Sequence, residues 1–158
     1  MDEKEYYQPI KTKIEELLSN KYNNFYLEIT AEKKFSDKLK VEIPKSKDII
    51  FSFLKDASPD ITGFIRENNI LSFIVIEFKK DKIKLDNIYQ VKKYIDLFSA
   101  KFAFLISLKS VPEEIKRLDS TNQILSIWQH WSYTFTLTQF DEKTRNFTEW
   151  YPKNPFLS

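Results

Sequence analysis

Leu71-Ser72-Phe73-Ile74-Val75-Ile76-Glu77-Phe78-Lys79 is the stretch on which the reading of this chain turns. It holds the most apolar run in the sequence and closes on an acid and a lysine two residues apart. Four turn-forming residues, Arg66-Glu67-Asn68-Asn69, precede it, and before them stands Asp60 to Ile65, opened by Pro59-Asp60. Two β-rich segments about a short polar turn predict a hairpin, with strands at Asp60–Ile65 and Leu71–Phe78. Alternate residues of a strand share a face, so Phe73, Val75, Glu77 and Lys79 point one way and Ile74, Ile76 and Phe78 the other.

Working downstream, Ile88, Val91, Ile95 and Phe98 recur at helical spacing and predict a helix over Asp86–Phe98. Phe102–Leu108 is a nearly continuous apolar strand, so strand, helix and strand form a parallel crossover beside the hairpin. Ser110-Val111-Pro112-Glu113 reads as a capping box for a helix reaching about Leu118. Asn122–Trp131 is open between assignments. Tyr133–Gln139 alternates as a strand, and with Asn146–Tyr151 it predicts a C-terminal β-hairpin that ends near Pro152 and Pro155.

Upstream, Tyr6, Tyr7, Ile10, Ile14, Leu17 and Leu18 make an amphipathic helix from Asp2 or Glu3 to Ser19, with Pro9 tolerated if the helix starts late. Phe25–Thr30, Val41–Ile43 and Ile49–Leu54 are short and β-branched enough to read as strands. The class is α/β in the α+β sense. With 158 residues the chain is expected to form one domain, with a core at 3–108 and an aromatic extension at 109–158.

Composition removes several chemistries. There are no cysteines, which excludes thiolate sites, and one histidine, His130, which reads as structural between Trp128 and Trp131. A metal would therefore be held by oxygen, which favours magnesium or manganese. The one glycine, Gly63, is too few for a glycine-rich phosphate loop. The acidic start, Met1-Asp2-Glu3-Lys4-Glu5, and the lack of a long apolar run predict a cytoplasmic protein without a membrane span. Net charge is only +2, but Lys79 to Lys101 carries seven lysines against three aspartates. By itself that excess reads as a solvated face or a phosphate-tracking one.

Asp60 starts the strand beside the one that ends in Glu77, so their carboxylates can approach. Two such groups repel, and a bridging divalent cation removes the penalty. With Lys79 on the same face, the set is what a metal-dependent phosphodiesterase needs. A third acid comes from the first helix. On a helical wheel Glu3 lies within the apolar stripe, whereas Glu5 and Glu16 face solvent, so Glu3 is chosen; an ordinary acid in a frayed first turn is the plain alternative.

In this order, Pro59-Asp60 and Glu77-Phe78-Lys79 resemble the PD-(D/E)xK nuclease superfamily, whose fold is restriction-endonuclease-like. Gln90-Val91-Lys92-Lys93-Tyr94 is similar to the Gln-x-x-x-Tyr element of several of its branches. The leading glutamate of the first helix is similar to that of archaeal junction resolvases. The resemblance runs from Glu3 to about Leu108. It departs in a rather long interval between Asp60 and Glu77 and in a larger Glu28–Ser58 segment.

It implies a central mixed β-sheet flanked by helices and a Mg²⁺-dependent DNA nuclease, with Mn²⁺ able to substitute. Asp60, Glu77, the Phe78 backbone carbonyl and Glu3 would be the metal ligands, and Glu3, Asp60, Glu77 and Lys79 the catalytic set. DNA would lie on Gln90, Tyr94, Lys80, Lys82 and Lys93, with Lys84, Lys92 and Lys101 tracking its backbone. The alternative is a catalytically inactive nuclease-fold subunit for nucleic-acid binding or assembly; an RNA-directed enzyme is a third reading. The aromatic C-terminal residues Trp128, Trp131, Tyr133, Phe135, Phe140, Phe147, Trp150 and Tyr151 serve core packing or a homodimer interface.

Overall fold

A computed structural model describes residues 2–127 and 132–157. His130, Trp128 and Trp131 lie outside the described residues. The hairpin is formed by β2 (Ile61–Glu67) and β3 (Ile70–Lys79), which pair antiparallel from Ile61↔Ile76 to Glu67↔Ile70. Asn68 and Asn69 turn the chain with φ of 52° and 66°. Two successive positive φ values suit the twist of a two-residue hairpin, and asparagine accepts them more readily than most residues. The interval from Asp60 to Glu77 is therefore set by symmetry about this turn: extending the ladder one step past Ile61↔Ile76 brings those two residues opposite each other.

On one side β2 pairs antiparallel with β1 (Phe25–Ile29). On the other, β3 runs parallel to β4 (Phe102–Ser107), which runs parallel to β5 (Thr134–Asp141), and β6 (Asn146–Tyr151) closes an antiparallel C-terminal hairpin. The six strands form one mixed sheet in sequence order. The C-terminal segment thus extends the same sheet. All six residues of β4 are buried, as a strand covered on both faces should be.

The two faces bury different side chains. Ile74, Ile76 and Phe78 share one with Tyr6, Tyr7, Ile10, Ile14 and Leu18 of the helix α1 (Lys4–Ser19). Phe73 and Val75 share the other with Leu39, Ile43, Ile50 and Leu54 and with Ile88, Val91, Tyr94, Ile95 and Phe98, which lie on a later helix at Leu85–Phe98. Pro9 lies inside α1, not at a late start, because the helix begins at Lys4. Gly63 is required by close approach: a Cβ there would fall 2.0 Å from the Tyr26 carbonyl oxygen of β1, an atom of the backbone.

Two expected strands need correction. Val41–Ile43 and Ile49–Leu54 are not strands: the segment forms α2 (Asp37–Lys40), a 3₁₀ turn at Lys45–Lys47 and α3 (Ile50–Phe53). The reason is spacing. Leu39 and Ile43, then Ile50 and Leu54, are buried four residues apart, while Val41, Ile49 and Phe53 are exposed at 74%, 60% and 58%. That is helical periodicity, overruling the β-branched composition. Ser36 caps α2 through its hydroxyl, which accepts the Leu39 N–H at 3.2 Å.

The remaining helices are α4 (Leu85–Phe98) and α5 (Glu113–Asn122). α5 is capped at Pro112, not by Ser110, and runs past Leu118. Val111 is buried and its N–H donates to Glu149 at 2.8 Å, which holds the lead-in extended. The described C-terminal aromatics pack within the chain: Phe147 meets Phe140 edge-on and Trp150 at a tilt, and Trp150 and Phe156 both meet Phe104. Among the described residues no helix is long and apolar enough to cross a membrane.

Candidate active site

The ends of β2 and β3 place Asp60 and Glu77 opposite each other, and both are buried, at 8% and 3% exposure. The Asp60 N–H donates to Glu77 Oε1 at 3.3 Å, and the Phe78 N–H donates to Asp60 Oδ2 at 2.8 Å. These bonds tie each carboxylate to the other strand. Lys79, two residues along the same face, puts Nζ 3.4 Å from Glu77 Oε2 and remains partly open to solvent.

Burial and mutual repulsion dominate the electrostatics. Desolvation pushes the Asp60 carboxyl up, against the Phe78 N–H, the Tyr7 hydroxyl and Lys79, which favour its charged form. Desolvation, reinforced by the charge of Asp60, pushes Glu77 up to about 8, with Lys79 opposing it. A pair that resists double ionisation with one nearby ammonium is short of positive charge.

Glu3 reaches the same end of the sheet from α1. Its Oε2 accepts the Lys80 N–H at 2.9 Å, and its charge adds to the pressure on Asp60. Glu5 instead accepts the Asp2 N–H, and Glu16 pairs with Lys13, both in solvent. The helix acid that approaches the site is thus Glu3, although it does not complete a group of three ligands: no such set of acidic or histidine side chains occurs among the described residues. Two carboxylates are nonetheless a suitable protein share for Mg²⁺, which keeps several waters and takes one or two carboxylates. The donor set is all oxygen, as that ion requires.

Tyr7 is a site residue that the apolar stripe concealed. Its hydroxyl faces Asp60, and burial, then the Asp60 charge, drives its own pKa upward. Tyr7 stands four residues after Glu3, on the same helix edge, which was the available signal.

Tyr94 approaches from α4. Its hydroxyl accepts from Gln90 Nε2 at 2.9 Å, and its pKa is raised by burial and then by Glu77. With 0% exposure Tyr94 lies beneath the site, so a ligand at the surface would meet Gln90. Lys82 and Lys84 are exposed just before α4 and Lys93 is exposed within it, with Lys82 paired to Glu114 at 2.9 Å, and the Lys80 N–H is engaged by Glu3. Lys92 lies over the Tyr89 ring, 5.0 Å from its centroid.

Lys101 does not belong to this cluster. It precedes β4, whose parallel register pairs Phe102 with Ile74 and Ser107 with Lys79, so it sits at the opposite end of the sheet. Six residues of strand separate those ends by about 20 Å. No protein-family model, curated protein or solved structure matches the chain.

Proposed function

We propose that the protein is a Mg²⁺-dependent DNA nuclease of the PD-(D/E)xK type on a restriction-endonuclease-like fold. The observation that carries this reading is the buried Asp60–Glu77 pair at adjacent strand ends, with Lys79 on the same face. Hairpin, crossover helix and parallel strand in that order support the fold, and the Gln90–Tyr94 bond supports the branch with a Gln-x-x-x-Tyr element.

Asp60, Glu77 and the Phe78 carbonyl would hold the ion, with Glu3 near it through its own bond to the Lys80 N–H. Mg²⁺, when bound, supplies a Lewis acid for a phosphoryl oxygen and lowers the pKa of water, and Mn²⁺ would do the same. The Phe78 N–H keeps Asp60 oriented by a hydrogen bond, and the Tyr7 hydroxyl favours its charged form. Lys79 places a positive charge where a phosphodiester gathers negative charge during hydrolysis. The exposed lysines 82, 84 and 93 would meet backbone phosphates, which makes binding weaken with added salt.

Digestion of labelled single-stranded, duplex, flapped and four-way DNA with Mg²⁺ tests the reading. Wild type should cut at least one, and Asp60→Ala, Glu77→Ala and Lys79→Ala should each lose about a hundredfold or more while keeping the far-ultraviolet circular dichroism of a folded chain. Wild-type rates in any of the three would sink it. Binding of DNA without cutting by wild type would instead leave the inactive nuclease-fold subunit.

A further inference from the structure

Beside the carboxylate pair is a cavity of about 510 Å³ lined by Lys4, Tyr7, Ile29, Ala31, Glu32 and Lys34. Ligand pockets commonly span roughly 300–1,000 Å³. Tyr7 belongs to both places, lining the cavity while its hydroxyl lies close enough to Asp60 for each to shift the other's pKa.

The wall opposite α1 is built on the turn after β1, and that turn is fastened to the strand start that carries Asp60. Thr30 is 1% exposed. Its N–H donates to the Asp60 carbonyl at 2.8 Å and its hydroxyl to the Pro59 carbonyl at 2.6 Å. Ser58 returns a hydroxyl bond to the Thr30 carbonyl at 2.6 Å. Lys33 closes the turn at φ 67°, its N–H on the Thr30 carbonyl at 2.9 Å. The wall therefore keeps its position relative to Asp60, which is what a preorganised subsite needs.

The lining has the chemistry of a nucleotide site. Lys4 and Lys34 are exposed cations at the rim, Glu32 adds one negative charge, and Ile29 presents an apolar side chain at 41% exposure with Ala31 beside it. Cations meet a phosphate, and apolar side chains meet the face of a base. Duplex DNA offers the phosphates but keeps its bases stacked; a base free to enter a side cavity belongs to an unpaired strand.

Resting on the nuclease reading above, we infer that this cavity receives one unstacked nucleotide next to the phosphate held at Asp60 and Glu77, so that the protein acts on single-stranded segments in preference to continuous duplex. The subsite selects the substrate by the freedom of its base, not by its sequence.

Fluorescence anisotropy in EDTA, which reads binding without cutting, tests it with a mixed-sequence single-stranded oligonucleotide and a blunt duplex of the same length. Ala31→Trp fills the cavity, and Lys4→Ala/Lys34→Ala strips its rim without touching packed residues. Each should weaken single-strand binding by about tenfold or more, the range of one lost base contact, and duplex binding by less than about twofold. Equal losses on both DNAs, an unchanged single-strand affinity, or no binding of either by wild type overturns the inference. The lysine variant decides the matter if Ala31→Trp does not fold. Selective loss without any Mg²⁺-dependent cutting would remove the nuclease reading and keep the subsite; cutting by wild type with unaltered variants would do the reverse.

Discussion

Glu77 has almost no contact with water, and the residue facing it across the ladder is a second carboxylate. Its proton is therefore held up to a pH of about 8, far above the 4.5 of the free side chain. The unfolded chain releases that proton near 4.5, while the native chain keeps it. Between these values the native state binds more protons, so the contribution of Glu77 to stability falls as pH rises from about 4.5 through 8. The effect is on the order of a few kcal/mol. Urea denaturation in EDTA at a series of pH values should show the midpoint dropping across the window, and Glu77→Gln should flatten the slope. A midpoint independent of pH in wild type would contradict the burial argument.

The segment between β1 and β2 shows how spacing outranks composition. Val41, Ile49 and Phe53 look like strand residues, yet they face solvent, and the buried set recurs every four residues from Leu39 to Ile43 and from Ile50 to Leu54. Two neighbouring aliphatic positions should then respond in opposite ways. Leu39→Ala empties a buried site and should cost about 2–5 kcal/mol, whereas Val41→Ala should stay within about 0.5 kcal/mol. Chemical denaturation measures both, and comparable losses would restore the alternating reading of a strand. Because helices here pack against Phe64 and Phe73 of the hairpin, their loss would also loosen the face on which Asp60 and Glu77 stand.

The site draws on distant parts of one sheet and one helix, so ion binding and global stability should be linked. An ion that binds only the native state stabilises it by about 2.7 kcal/mol when present at a hundred times its Kd. For a chain of 158 residues each kcal/mol is worth about 2–4 °C in Tm. Millimolar Mg²⁺ should therefore raise the Tm of wild type by several degrees and leave Asp60→Ala/Glu77→Ala unmoved. An equal response in that double variant would place the ion elsewhere.

Much of the site's frame is legible in the order of the amino acids alone. Strand parity puts Glu77 and Lys79 on one face, the polar turn puts Asp60 within reach of Glu77, and the crossover helix makes β3 and β4 parallel. These follow from local period and from symmetry about a turn, which a sequence carries directly. Tyr7 on Asp60, Glu3 on the Lys80 N–H, the Thr30 fastening and the removal of Lys101 to the far end of the sheet are of another kind. Each depends on which elements pack together and in what register, so the tertiary structure alone decided them. A hydroxyl inside an apolar stripe looks like core until the opposing strand shows it a carboxylate.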